Sequence, residues 1–439
     1  SRIFRPAIRD VKDIFKESHR IFYGYIYDDE IVIDEVLVLI MKAPHTYTRE
    51  DTVEIDCHGG MFVMNKILEL VLRSGARTAQ PGEFTKRAFI NGRIDLSQAE
   101  AVTDVINAEN DFALQSAQTQ LRGSVSEKIR SIRSELLEKT AYIEAALDDP
   151  EHYELDGFGS ELLPVINDCE EKIQRLIDTA QDGRIIKEGI RTVILGKPNV
   201  GKSSFLNALL GMQRAIVTQI PGTTRDAIEE SIRLSDITLN IVDTAGIRKT
   251  QDEVEKIGVD KAREYASGAD LIVWVVDTSS ELDENDHDTA ELVRGRKAIV
   301  LLNKSDLPQV TDEKDIIKVI CKDDPDENVF CVPVIRVSAL KNQGTDDFTS
   351  AVRKMFYSKE INFNDQVYIT NARQKEALIN SLKSLQKAKD SVRAQMPEDF
   401  FTIDLMDTYS YLGKVIGESL EDDLAEDRKS TRLNSSHDQ

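Results

Sequence analysis

The residues that announce chemistry in this sequence begin with Gly196-Lys-Pro-Asn-Val-Gly201-Lys202-Ser203, set between a strand-like run, Arg191–Leu195, and a helix-like run, Ser204–Leu210. In that setting the segment reads as a phosphate-binding loop. Its glycines let backbone N–H groups converge on phosphates at the positive end of a helix. Lys202 is expected to reach the β- and γ-phosphates of a nucleotide, and the Ser203 hydroxyl to ligate Mg²⁺. Farther on, the apolar run Thr238–Val242 ends in Asp243-Thr244-Ala245-Gly246. There a carboxylate can support the metal's water shell, and a glycine lets its N–H approach the γ-phosphate. Between the two lies Pro221-Gly222-Thr223-Thr224-Arg225-Asp226, a loop whose threonine can close over Mg²⁺ only when the γ-phosphate is present.

The base is read by Asn303-Lys304-Ser305-Asp306, directly after the strand-like Ala298–Leu302. The Asp306 carboxylate can accept from guanine's ring N–H and exocyclic amine; adenine offers neither and would leave it unpaired. Ser338-Ala339-Leu340, after Val332–Val337, supplies a backbone contact to the guanine oxygen. With these motifs in order, GTP and not ATP is the expected ligand. The nucleotide-contacting set is Asn199, Val200, Gly201, Lys202, Ser203 and Ser204; Thr218, Gln219, Ile220, Pro221, Gly222, Thr223 and Thr224; Asp243, Thr244, Ala245 and Gly246; Asn303, Lys304 and Asp306; and Ser338, Ala339 and Leu340. One position departs from many switch GTPases: Ile247 stands where a glutamine orients water. An apolar side chain cannot do so, so another group must.

Elements of three textures must position these residues. Up to about Asn91, β-type runs (Phe22–Ile26, Ile31–Ile40, Val53–Asp56) mix with a helix-like stretch, Phe62–Leu72, as in a compact α+β module. Ser97 to Leu147 is helical in pattern, with Leu114, Ala117, Leu121, Val125, Ile132, Leu136, Ile143 and Leu147 as a bundle-core stripe; Pro150 ends it, and a second periodic stretch runs from about Glu161 to Asp182. Strands alternate with helices over 190–357, and helical periodicity returns at Ala372–Ala394 and Phe401–Gly413. The expected architecture is a multidomain α/β plus α chain, with a P-loop GTPase domain of Ras-like α/β type inserted into a helical domain. Helices before and after the insertion should then pack together. The acidic run Asp323–Glu327 is expected to be a solvated loop.

Composition sets limits. The chain has 439 residues, long enough for two or three cores, and a net charge of −22, which argues against an autonomous nucleic-acid binder. An RNA substrate would need a basic partner or a local patch. The four cysteines lack Cys-x-x-Cys spacing, so reduced thiols in a cytoplasmic protein are expected rather than zinc or disulfides. No window has the apolar length to cross a bilayer, and SRIFRPAIRD lacks the apolar region and cleavage site of a signal peptide. Without an initiator Met, the chain is expected to start inside a longer reading frame.

Two further segments carry a resemblance: Tyr47-Thr-Arg-Glu-Asp-Thr-Val-Glu54-Ile-Asp-Cys-His58-Gly59-Gly60, and Pro81-Gly-Glu-Phe84 through Asn91-Gly-Arg93-Ile-Asp-Leu96-Ser-Gln-Ala-Glu100. With the GTPase motifs they resemble the MnmE (TrmE) family of tRNA-modification GTPases over nearly the whole chain. The resemblance implies an N-terminal tetrahydrofolate-binding and dimerisation domain at 1–92, a helical domain at 93–189 and 358–426, and a GTPase domain at 190–357. It implies a homodimer whose GTPase domains pair across the dimer with K⁺ completing the site. It also implies a flavoprotein partner, MnmG, with which a carboxymethylaminomethyl or aminomethyl group is placed on tRNA wobble uridine from a one-carbon folate.

Carried over by motif, Asn199, Thr218, Ile220 and Thr223 would ligate K⁺, and Ser203 and Thr224 would hold Mg²⁺. A monovalent cation beside the phosphates can stabilise transition-state charge as an arginine finger does. Glu255 matches the family's catalytic glutamate, which orients the attacking water through a bridging water; read from the residues alone, it is a surface helix residue. Arg225 and Asp226 stabilise the switch loop in one reading and form a simple salt bridge in the other. Glu54 aligns with a pterin-binding carboxylate. Arg93, where many members have Lys, would meet the folate's glutamate tail. His58 reads as a turn residue or as a metal or acid–base histidine.

Both ends depart from the family pattern. Members carry a further strand-rich segment ahead of Phe4 and end in a Cys-x-Gly-Lys tail, whereas this chain follows the pattern to about Leu424. Asp427–His437, DRKSTRLNSSH, has the character of translated library-adapter sequence, so 427–439 is expected to be a non-native tail without function. A polypeptide made as written is expected to keep GTP binding and lose tRNA modification. Two other classes compete with a K⁺-stimulated GTPase: a ribosome-assembly switch GTPase, which should show a second GTPase domain or a basic RNA-binding domain, and a nucleotide-binding scaffold without turnover, disfavoured by intact Ser203, Thr224, Asp243 and Glu255.

Overall fold

Alternating apolar residues on the strands and one apolar face of a helix build the N-terminal part. Strands β1 (Phe4–Pro6), β2 (Arg20–Asp28), β3 (Ile31–Met41) and β4 (Thr52–Asp56) form an antiparallel sheet in that order. Phe22 and Ile26 on β2, and Val36, Val38 and Ile40 on β3, point to one face. There they meet Ile67 and Leu70 of α1 (Met61–Arg73), which are three apart and share a helix face. Helices α2 (Glu83–Ile90) and α3 (Leu96–Ile106) follow. The structure, a computed structural model, describes residues 3–7, 16, 18–149, 151–152, 157–211, 217–218, 230–234, 237–242, 258–321, 332–357 and 367–418. These fall into two compact units: residues within 1–103, 121–131 and 413–439, and residues within 104–120 and 132–412.

The segment read as one helical stretch from Ser97 to Leu147 is three helices: α3, α4 (Asp111–Leu121) and α5 (Ser124–Asp148). The breaks have local causes. The Asn110 side chain accepts from the Ala113 N–H at 2.8 Å, capping α4, and Gly123 takes a positive φ of 93° before α5. Of the expected stripe, Ala117, Val125, Ile132, Leu136 and Ile143 are buried, whereas Leu147, in the last turn of α5, is exposed. α6 (Phe158–Glu188) is longer than its periodic core suggested.

Among the described residues, the α/β segment carries a seven-stranded sheet. Its strands are β5 (Ile190–Leu195), β6 (Val217–Thr218), β7 (Glu230–Leu234), β8 (Ile237–Ile241), β9 (Leu271–Asp277), β10 (Ala298–Asn303) and β11 (Val334–Arg336), in the order β11-β10-β9-β5-β8-β7-β6. β11, β10, β9, β5 and β8 are parallel; at the edge β7 is antiparallel to β8, and β6 is antiparallel to β7. The near-continuous apolar runs of β9 and β10 follow from burial on both faces. One face packs Phe205, Leu206 and Leu209 of α7 (Lys202–Leu210) and Phe348 and Val352 of α11 (Thr345–Phe356). The other packs Ala266 of α8 (Gly258–Gly268), Ala290 and Val293 of α9 (Glu284–Val293), and Ile316 and Ile320 of α10 (Glu313–Cys321). This is the α/β fold expected, with helices on both faces of the sheet.

After it come α12 (Ala372–Arg393) and α13 (Glu398–Ile416). α12 packs on α6, with the Glu170 carboxylate taking Lys389 Nζ and the Thr179 hydroxyl accepting from the Ile369 N–H at 3.2 Å. The helices before and after the inserted domain therefore meet, as expected. Among the described residues, no helix is long and apolar enough to cross a membrane.

Candidate nucleotide-binding site

Parallel strands place their C-terminal ends on one edge of the sheet, where the strand order reverses direction around β5 and ligands of open α/β sheets bind. Leu195, Asp277 and Asn303 close β5, β9 and β10 on that edge. The loop after β5 turns tightly into α7. Asn199 has φ 60° and Gly201 has φ 99°, so two residues of the turn lie in the left-handed region. Gly201 has a second constraint: a Cβ there would lie 2.1 Å from Asn303 Nδ2.

That proximity marks a bridge. Buried Asn303 donates through Nδ2 to Val200 O at 2.8 Å and accepts through Oδ1 from the Ala339 N–H at 3.1 Å. One amide thus ties the phosphate loop to both base-contacting segments. The Lys202 ammonium donates to Gly196 O at 2.5 Å and Lys197 O at 2.7 Å, both carbonyls of the same loop. Burial pushes Lys202 down to about 8, because those neutral carbonyls replace water without supplying a counter-charge. A phosphate group is what would reverse that. Lys197 is held elsewhere, at 2.7 Å from Asp286 and 3.0 Å from Asp283, the two carboxylates of the capping box that starts α9.

At the base end, Asp306 is exposed and accepts from Ser338 Oγ at 2.7 Å; that hydrogen bond, with its own backbone N–H, holds the carboxyl below the usual range. Ser338 is fully buried and Leu340 is largely exposed. The sequence reading gave the Ser338 segment a backbone role only; its hydroxyl also orients the base-reading carboxylate. A second residue was missed altogether. Asp277 Oδ2 takes the Lys304 ammonium at 2.5 Å, while Oδ1 accepts from the Ser279 N–H and hydroxyl at 2.9 and 2.6 Å. Burial would raise Asp277, but Lys304 and Ser279 together hold it below its ordinary value.

Of the nucleotide set, Asn199, Val200, Gly201, Lys202, Ser203, Ser204, Asn303, Lys304, Asp306, Ser338, Ala339 and Leu340 lie on the described loops and strand ends of this edge. Thr218 is the last residue of β6. Gln219, Ile220, Pro221, Gly222, Thr223, Thr224, Arg225, Asp226, Asp243, Thr244, Ala245, Gly246 and Glu255 lie outside the described residues, as do Asp323–Glu327 and the tail 427–439.

In the N-terminal sheet, Glu54 is exposed on β4 opposite Leu39 of β3, on the face away from the apolar core. Arg93 is exposed, with its guanidinium 4.7 Å from the Tyr47 ring centroid. His58 is stapled to Asp34, whose carboxylate accepts the His58 N–H at 2.8 Å and meets Nδ1 at 2.8 Å. The segment around Arg93 is largely bracing. Asn91 Nδ2 donates to Thr48 O at 2.6 Å, and Asp95 accepts from the Ser97 hydroxyl and the Gln98 N–H at 2.6 and 3.1 Å.

Comparison with known proteins decides the lineage. The family model described as "GTP-binding protein TrmE N-terminus" matches residues 2–93, and that described as "MnmE helical domain" matches 96–427. The curated protein "tRNA modification GTPase MnmE" of Lachnoclostridium phytofermentans is 52% identical over 96% of this chain and 90% of its own length. The chain belongs to the MnmE family. Its relative of the same name in Clostridioides difficile is 46% identical over 95% of this chain and 91% of its own. The Enterococcus faecalis relative is 43% identical over 97% of this chain and 90% of its own. The family match spans the segments on both sides of the inserted α/β domain, so the nucleotide edge sits in the MnmE arrangement of an α+β N-terminus and a split helical segment.

Proposed function

We propose that this chain binds GTP on the edge formed by the ends of β5, β9 and β10, and hydrolyses it in the service of tRNA modification. The observation that carries the reading is the Asn303 bridge, which fixes the phosphate loop, the Asp306 carboxylate and the Ser338–Leu340 segment as one receptor for a guanine nucleotide. Backbone N–H groups at the start of α7 and the Lys202 ammonium meet the phosphates, and Asp306 accepts from the base.

The finer mechanism rests on the family. Ser203, on the first turn of α7 at the mouth of the phosphate loop, fits a hydroxyl ligand of Mg²⁺, with Thr224 as its partner and Asp243 in support. Asn199 stands exposed at the loop's crown in a left-handed turn, an oxygen donor suited to K⁺; Thr218, Ile220 and Thr223 complete the set. Those cations, when bound, would neutralise charge on the phosphates. Glu255 orients the attacking water through a bridging water, which answers the apolar Ile247, and Arg225 and Asp226 steady the loop around it. The reaction it serves is that of a homodimer working with the flavoprotein MnmG on wobble uridine of tRNA, with Glu54 and Arg93 proposed for the one-carbon tetrahydrofolate site. The polypeptide as written is expected to supply its GTP-binding part. The net charge of −22 fits a division in which the partner supplies most of the RNA-binding surface. The domain limits are those of the sequence reading: 1–92, 93–189, 190–357 and 358–426.

The test is GTP hydrolysis in K⁺ against Na⁺, for the native chain and for Glu255→Ala. Hydrolysis in K⁺ should exceed that in Na⁺ by more than tenfold, and Glu255→Ala should remove most of it while leaving GDP affinity within about twofold. Equal rates in both salts and an unaffected variant would overturn the mechanism.

A further inference from the structure

Guanine recognition needs Asp306 ionised and free to face the base, yet a lysine stands only two residues before it. The structure shows where that cation goes. β9 and β10 are parallel neighbours, and their register sets Asp277 beside Asn303, so the carboxylate lies next to the peptide that leads into Lys304. Asp277 takes the Lys304 ammonium at 2.5 Å. The backbone is held from the same side, with the Thr278 N–H and hydroxyl donating to Asn303 O at 3.0 and 2.9 Å. Lys304 itself has φ 61°, a left-handed conformation uncommon for a lysine. The Asp277-Thr278-Ser279 turn thus fixes both the main chain and the side chain of the base-reading segment, and Asp277 is itself anchored by Ser279.

We infer that Asp277 is a positioning residue for guanine recognition: it holds the Lys304 ammonium at the ends of β9 and β10, so that the Asp306 carboxylate, oriented by Ser338, keeps its oxygens open to the base. The physical case is one of competition. A mobile ammonium in the same loop would pair directly with Asp306 and occupy the carboxylate oxygens that the base's N–H groups need, so the charged hydrogen bonds to guanine would have to be made at its expense. Asp277 removes the competitor by offering it a carboxylate that is more shielded from water than exposed Asp306. This inference rests on the guanine-nucleotide reading and extends it to a residue that touches no nucleotide.

The test is a double-mutant cycle on the full chain, read as affinity for guanosine diphosphate and for inosine diphosphate, which lacks the exocyclic amine. Asp277→Asn should weaken GDP binding ten- to hundredfold and narrow the preference for GDP over IDP, as expected from loss of a charged hydrogen bond. In a Lys304→Ala background the same change should have little effect, because no cation remains to misplace. Asp277→Glu, which keeps the charge, should recover part of the preference. An undiminished loss in the Lys304→Ala background, an unchanged GDP preference, or a melting transition abolished by Asp277→Asn would overturn the inference, since each would make Asp277 a plain structural residue. A native chain that binds no GDP would instead remove the guanine-nucleotide reading.

Discussion

At the scale of single residues, the site is built from charges whose partners are already chosen. Lys197 belongs to Asp283 and Asp286, Lys304 to Asp277, and Asp306 to Ser338. Lys202 is the exception: among the described residues its hydrogen bonds go to the loop carbonyls Gly196 O and Lys197 O, and burial pushes it down to about 8. The sign is fixed by that direction. Above about 8 the ammonium has lost its proton in the free protein, while a bound nucleotide's phosphates restore it, so binding must take up a proton there. GDP affinity should fall as pH rises from about 8 toward the ordinary lysine value, and Lys202 should add no pH dependence well below 8. Calorimetry in two buffers of different ionisation heat should show proton uptake near zero at about pH 7 and approaching one at about pH 9. No uptake at the higher pH would contradict the assignment.

At the scale of elements, the strand–loop–helix unit of β5 and α7 and the strand ends of β9 and β10 depend on one another through Gly201 and Asn303. A methyl at residue 201 would need a left-handed backbone at φ 99° and would drive into Asn303 Nδ2. Gly201→Ala should therefore cost roughly 1–3 kcal/mol of stability, and it should lower GDP affinity by more than tenfold by displacing the Asn303 bridge. Thermal melting with and without GDP would check both. A variant that melts and binds like the native chain would show that the bridge is dispensable. Much of this unit was legible beforehand, because a strand, a glycine-rich turn and a helix are local patterns. Asp277 was not, although it visibly ends the apolar run Leu271–Val276. Its partner Lys304 is 27 positions away in sequence, and only the order of β9 and β10 in the sheet brings them together. Likewise, periodicity marked the buried face from Ser97 to Leu147 but not the breaks before α4 and α5. Those are set by an Asn110 cap and a positive-φ Gly123, single-residue signals that an apolar stripe runs straight through.

At the scale of the molecule, an α/β nucleotide domain interrupts a helical segment, so α6 before it and α12 after it pack together while the nucleotide edge lies on the insertion. That plan was readable from the return of helical periodicity after Phe363, and the helical-domain family model runs from 96 to 427, across the insertion. Within the family-specific segment Pro81–Glu100, Asn91, Asp95 and Gln98 brace the local fold, beside the exposed Arg93. A sequence cannot separate such bracing from ligand contact, because both fix residue type with equal force. In the function proposed for this molecule, a guanine-nucleotide enzyme, the base is read by Asp306. Xanthine carries an oxygen where guanine carries its amine, so an amide at 306 should invert the choice of base. Steady-state hydrolysis of GTP and xanthosine triphosphate by the native chain and by Asp306→Asn measures this directly. The native chain should prefer GTP and the variant xanthosine triphosphate, each by at least about tenfold; an Asp306→Asn chain that still prefers GTP would overturn the assignment of Asp306.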